Sequence, residues 1–315
     1  MTALYIILGV LGTAFVFLVL PTLLISNRIF SVLFVRTSKK KWSRSLSWDD
    51  EEQAKMFDGG EKWWRENEKY RKPLIVKSGK FSLAGEYFDF GFDKAVIIIP
   101  GRMETCAYSM FFAEPYKESG YNVLAIDNRS HGLSDGRFNT IGMHEYEDVI
   151  VWTKKLHDEC GAKSVIYHGL CIGAATALYA MTDSRMPDYA DGLIAEGMYI
   201  NFRELFINQL KDRKKPLFPF VWEVMTMMRL TAGKSVDKNA PINFVTKMKK
   251  PMLFIYSRKD LYSRPDKAEI LFENCASEKK KLVFFDKGVH SHVRINAVER
   301  YDRTIKDFIK DEIDG

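Results

Sequence analysis

From Ala3 to Ile25 the chain runs for 23 residues without a charge. At about 1.5 Å per residue, such a helix crosses the hydrocarbon core of a bilayer. Met1–Tyr5 holds no Lys or Arg, and no small-x-small cleavage site follows the run, so residues 1–26 are expected to form a transmembrane anchor and not a cleaved leader. Asp49–Arg71 is charged, contains Trp63 and Trp64, and reads as a helix on the rim of the next unit; residues 27–72 form a basic juxtamembrane segment and linker helix. After Pro73 the pattern changes to short apolar runs. Leu74–Lys77 and Leu83–Phe90 suggest an antiparallel pair. Ala95–Ile99, Val123–Ile126, Val165–Tyr167, Leu193–Ala195, Met252–Tyr256 and Leu282–Phe285 have the β-branched, aliphatic and aromatic content of buried strands. Helical periodicity separates many of them, as in Glu145–Glu159 and Gly173–Met181. This alternation predicts an α/β unit over residues 73–315, with right-handed crossovers and a mainly parallel sheet. The long interval 197–248, rich in Phe, Met and Trp, reads as a helical insertion over the edge of that sheet.

Composition alters this picture little. The 315 residues are 46% hydrophobic and 28% charged, ordinary globular values that exclude wholesale disorder. The net charge of +6 has a local source. Arg28, Arg36, Lys39, Lys40, Lys41 and Arg44 all precede the first acid, Asp49, and removing these six from 47 basic residues leaves 41 against 41 acidic ones. A neutral remainder does not indicate a nucleic-acid-binding domain. The one-sided basic cluster predicts a cytoplasmic position for everything after the anchor, with lipid headgroups or plain solvent around the cluster itself. Cys106, Cys160, Cys171 and Cys275 form no CxxC pair, so neither a zinc site nor a disulfide framework is expected.

The chemistry concentrates in Gly169-Leu-Cys171-Ile-Gly173, between the strand Val165–Tyr167 and a following helix. A turn of this kind forces its central residue into a strained conformation that small neighbours two positions away make possible. It also sets the side chain at a helix N-terminus, where a thiolate is favoured. A nucleophile needs a base, and the base an orienting acid, here in the chain order nucleophile, acid, histidine. Asp260 follows the strand Met252–Tyr256, and His290 follows Leu282–Phe285. Asp266 competes with Asp260, and His292 with His290. His131 and His168 suggest structural roles, while His144 and His157 suggest ordinary helical ones.

Taken together these segments resemble the α/β-hydrolase superfamily, and within it bacterial membrane-anchored hydrolases. The resemblance extends through Gly120–Gly136, which includes Asp127-Asn-Arg129-Ser-His131-Gly132, and through Thr140-Ile-Gly142-Met-His-Glu145-Tyr-Glu-Asp148, similar to a T-x-G-x-x-E-x-x-D pattern. It implies an α/β-hydrolase fold with helices on both sheet faces and a lid at 197–248. It favours His290 over His292 through the spacing to Glu299-Arg300-Tyr301. It also assigns oxyanion donors to the backbone N–H groups of Arg102 and Ile172. Two features depart from the pattern: cysteine stands at 171 where most relatives have serine, and Pro100-Gly101 replaces the usual His-Gly. A surface salt bridge is the expected fate of the Arg102 side chain.

The resulting expectation is a membrane-anchored hydrolase of ester, thioester or lactone bonds, with Cys171, His290 and Asp260 as its triad. It would act on a small-molecule acyl substrate with no cofactor, metal or nucleic acid. An acyltransferase using the same acyl-enzyme, and a silent binding scaffold, are the alternatives. Phe202, Phe206, Phe218, Phe220, Trp222, Met225, Met227 and Met228 of the insertion suggest either an acyl pocket or a helical pair packing its own apolar face.

Overall fold

The computed structural model describes residues 1–45 and 50–315, so Asp49, the expected start of the rim helix, lies outside the described residues. Helix α1 runs unbroken over Thr2–Phe34, with one wider turn at Phe15–Val19. Helix α2 covers Glu51–Glu66, capped by the Asp50 carboxylate on the Gln53 N–H. Then follow β1 (Arg71–Ser78), β2 (Phe81–Phe88), β3 (Lys94–Ile99), β4 (Asn122–Ile126), α3 (Glu145–Asp158), β5 (Ser164–Leu170), α4 (Ile172–Met181) and β6 (Ala190–Glu196). The insertion supplies α5 (Phe202–Asp212) and α6 (Phe220–Ala232), after which come β7 (Met252–Ser257), α7 (Pro265–Asn274), β8 (Lys280–Phe285) and α8 (Val298–Phe308).

The eight strands form one sheet in the order β1-β2-β4-β3-β5-β6-β7-β8. Only the β1–β2 and β2–β4 pairs are antiparallel. Because successive strand residues point to opposite faces, each strand divides its side chains between two cores. Ile97, Leu124, Tyr167, Leu193 and Phe254 join α3, α4 and the insertion on one face. Val96, Val123, Ile166, Ile194 and Leu253 join Met56 and Trp63 of α2 and Tyr301, Ile305 and Phe308 of α8 on the other. This is the mainly parallel sheet that the alternating runs predict, with helices on both faces as the family resemblance implies.

The basic segment after the anchor differs from a solvated linker. Phe34 is fully buried and stacks edge-on against Phe202. Val35 bridges Phe138, and the Arg36 guanidinium donates to the carbonyls of Gly132 (2.8 Å) and Ser134 (3.2 Å). Trp42 is buried with its ring stacked on His131 at 4.5 Å. Arg44 pairs with two buried carboxylates, Glu86 and Asp127. The physical reason is pairing: a buried carboxylate needs a partner, and these two find theirs in the basic run. Lys39 and Lys40 remain exposed.

Candidate active site

Cys171 occupies the single residue between the end of β5 and the start of α4, with φ 51° and ψ −105°. Few residues with a side chain adopt this conformation, which costs on the order of 1–3 kcal/mol and survives only where the surroundings dictate it. Here they do. A Cβ at Gly169 would lie 2.3 Å from the backbone N of Ala174, and one at Gly173 would lie 2.1 Å from the carbonyl oxygen of Ile99. Both glycines are therefore required for helix and strands to approach this closely. The Cys171 N–H donates to the Glu196 carbonyl at the end of β6 (2.8 Å), tying the turn to the neighbouring strand.

The loops after β7 and β8 bring Asp260 and His290 together. His290 Nδ1 donates to Asp260 Oδ2 at 2.7 Å, while Asp260 Oδ1 accepts the N–H groups of Tyr262 and Ser263, each at 2.8 Å. The carboxylate is thereby fixed from both sides and buried. Burial opposes protonation of the His290 imidazole, but the Asp260 carboxylate and its hydrogen bond, with Cys171 acting in the same direction, prevail, and His290 is held well above the ordinary imidazole value. Gly197, at φ +59°, lies under the ring: a Cβ there would sit 3.3 Å from His290 Cε1. The competitors lie elsewhere. His292 Nδ1 pairs with Glu52 of α2 at 2.9 Å, and Asp266 pairs with Arg264 on the surface.

Arg102 and Ile172 follow the carboxyl ends of the neighbouring parallel strands β3 and β5. Among the described residues, neither backbone N–H donates to another protein group. The loop before Arg102 is held by Glu104, which accepts the Gly101 N–H at 2.7 Å, and the Arg102 carbonyl is held by His131 Nε2 at 2.6 Å. An open hollow of about 620 Å³ adjoins Asp260, lined by Asn208, Lys211, Leu261 and Arg264 among others.

Comparison with known proteins agrees with this fold. A family model described as serine aminopeptidase, S33, matches residues 92–243, just under half of the chain. The structure superposes on an esterase of Pyrococcus furiosus with a TM-score of 0.67 at 23% identity, covering 79% of this chain and 94% of that one. The chain has the α/β-hydrolase fold. A second structure, an alpha-beta hydrolase of Vibrio vulnificus, superposes with a TM-score of 0.62 at 17% identity over 89% of this chain and 92% of its own. Among curated relatives, YqkD of Bacillus subtilis is 28% identical over 68% of this chain and 70% of its own length. Protein bem46 of Schizosaccharomyces pombe is 26% identical over 62% of this chain and 59% of its own. An uncharacterized membrane protein of Saccharomyces cerevisiae is 24% identical over 62% of each chain. The matches to the two yeast proteins thus span about three fifths of those relatives.

In this fold the side chain of Arg102 corrects the expectation of a surface salt bridge. Among the described residues it has no carboxylate partner, and its Nη1 is sealed from solvent without a hydrogen bond. Burial lowers its pKa, Cys171 and Tyr262 oppose that shift, and Arg213 adds to it. Lys41 is pushed down to about 8 by burial, with Arg28 and Arg102 contributing. The end of the anchor segment and the loop of Arg102 thus share one cationic neighbourhood.

Two acids beneath the site have no counterpart in the sequence reading. Glu104 is pushed up to about 7 by burial, against the Gly101 N–H and the charge of His290. Glu196 is likewise pushed up to about 7 by burial, despite accepting the Tyr301 hydroxyl. Beside it His168 is pushed down to about 3 by burial, with Arg294 adding to the shift. Each acid closes or follows an apolar run, where sequence alone suggests a solvated end; only the crossing of chains distant in sequence buries them. The consequence for stability has a definite sign. An acid whose folded pKa exceeds its unfolded value stabilises the fold while protonated, and that contribution declines as pH rises from about 4.5 to about 7. The Glu196→Gln variant should therefore unfold less readily than wild type at pH 8 and lose the advantage at pH 5. The differential is at most about 3 kcal/mol, and thermal melts across that range measure it. Parallel melting curves for the two proteins from pH 5 to 8 would contradict the shift.

Proposed function

We propose that this chain is a membrane-anchored hydrolase of carboxylic ester, thioester or lactone bonds, working through a Cys171–His290–Asp260 triad and a thioester acyl-enzyme. The observation that supports the reading best is the Asp260–His290 hydrogen bond, set at the same sheet edge as the strained turn that holds Cys171. His290 takes the proton of Cys171, and the thiolate attacks the acyl carbon. The tetrahedral oxyanion is stabilised by the N–H groups of Arg102 and Ile172, each worth about 3–4 kcal/mol in comparable sites. Collapse breaks the bond to the leaving group, which takes the proton from His290. A water molecule deprotonated by His290 then cleaves the thioester, releases the acid and restores the thiol. Asp260 keeps the imidazole in the tautomer that both steps need.

The anchor reading rests on α1. Its described residues from Met1 to Leu20 are exposed and carry no side-chain charge, and a relative in Saccharomyces cerevisiae is named a membrane protein. Exposed Arg28, Lys39 and Lys40 follow the span, which favours a cytoplasmic catalytic domain.

Kinetics on short p-nitrophenyl esters test the chemistry. Cys171→Ala and His290→Ala should each reduce kcat/KM about a thousandfold or more. Cys171→Ser should remain within about tenfold of wild type, because Oγ replaces Sγ in a turn and oxyanion site that do not depend on sulfur. Undiminished activity in both alanine variants would remove the triad. A folded serine variant slower than that range would mean a site built around the thiolate. Topology has a separate test. In right-side-out vesicles added protease should leave the catalytic domain intact, and in inside-out vesicles it should digest it; the reverse pattern would contradict the orientation.

A further inference from the structure

The insertion carries a surface that the proposed chemistry leaves unused. Between α5 and α6 the chain reads Lys211-Asp-Arg213-Lys214-Lys215-Pro-Leu-Phe218-Pro-Phe220, and Lys211, Arg213, Lys214 and Lys215 are all exposed. Phe218 is 85% exposed, and Trp222, one helical turn later, is 63% exposed. This divides the aromatic and methionine set of the insertion in two. Phe202, Phe206, Met225 and Met228 are buried in the main core, so the insertion does pack an apolar face of its own. Phe218 and Trp222 contribute nothing to that core. A large aromatic pair turned to solvent beside four cations is the composition of a segment that meets an anionic lipid interface.

Its place in the fold fits the same partner. Glu223, adjacent to Trp222, is buried and accepts hydrogen bonds from Thr22 Oγ1 (2.8 Å) and Ser26 Oγ (2.6 Å) of α1. Thr22 is the first side chain of α1 hydrogen bonded to the rest of the fold, and the turns before it need about 30 Å of apolar surroundings. The helix thus leaves its lipid-length stretch at the level where α6 begins, and Phe218 and Trp222 stand at that level. We infer that the loop 211–222 docks onto the anionic leaflet of the membrane that α1 enters. Phe218 and Trp222 sit in the interface, with Lys211, Arg213, Lys214 and Lys215 over the headgroups. The inference rests on reading α1 as the anchor. The hollow that extends from Lys211 to Asp260 then opens beside the leaflet surface.

The test uses full-length protein reconstituted into phosphatidylcholine vesicles with and without phosphatidylglycerol, carrying lipids brominated near the headgroup. Docking predicts that bromine quenches a component of the tryptophan fluorescence that is lost in Trp222→Phe. That component should weaken without phosphatidylglycerol and in a Lys214→Glu, Lys215→Glu variant. Equal quenching of wild type and Trp222→Phe would overturn the docking, and equal quenching in purely zwitterionic vesicles would overturn the role of the basic residues. A Leu11→Trp probe placed in the Trp222→Phe background separates the two readings. If deeply brominated lipids quench Trp at position 11 while Trp222 stays unquenched, docking fails and the anchor stands. If neither is quenched, both fail.

Discussion

A side chain at φ 51° persists only where its neighbours leave room for nothing else, and at Cys171 that room is made by two glycines. Gly173 allows the first turn of α4 to touch the Ile99 carbonyl at the end of β3, and Gly169 allows β5 to run directly beneath that turn. The strand-helix junction is thus set by steric contact, and the residue between them must point out of the sheet's carboxyl edge. Everything else in the proposed site is arranged around this one fixed direction. β7 and β8 lie in parallel register on the same side, so the loops that follow them deliver Asp260 and His290 to the same edge.

Burial acts with opposite effect on the groups around that direction. It discourages charge on Glu104 and Glu196, each pushed up to about 7, and on His168, pushed down to about 3. At His290 the same penalty is overcome by the Asp260 carboxylate, itself fixed by two backbone N–H groups. In the proposed mechanism this imidazole is the group that exchanges protons with residue 171. Arg102 has no carboxylate partner among the described residues, and its buried Nη1 lacks a hydrogen bond.

Much of the fold was legible in the sequence because buried strands leave compact apolar runs, and all eight runs correspond to strands of the sheet. The elbow was legible for the same reason that it works: G-x-C-x-G between a strand and a helix has a direct steric meaning. What escaped sequence reasoning depended on contacts between distant segments. The residue types alone left His290 and His292 open and the family resemblance chose His290; that His292 is occupied by Glu52, 240 positions away, is visible only in the fold. The basic run after the anchor suggested a linker because its partners, Glu86 and Asp127, lie far along the chain. Likewise the insertion's aromatic residues looked alike in sequence, although Phe202 and Phe206 belong to the core and Phe218 and Trp222 to the surface.

The central claim is that acyl transfer passes through the sulfur at the elbow, and trapping the intermediate addresses it most directly. Full-length protein would be mixed with an activated acyl ester, quenched in acid within the first turnover, digested and mapped by mass spectrometry. The account predicts one acyl group, released by hydroxylamine, on the peptide containing Cys171, and a longer-lived adduct when His290 is replaced by alanine under a more reactive ester. Acylation on Cys106, Cys160, Cys275 or a serine, with Cys171 unmodified, would contradict it.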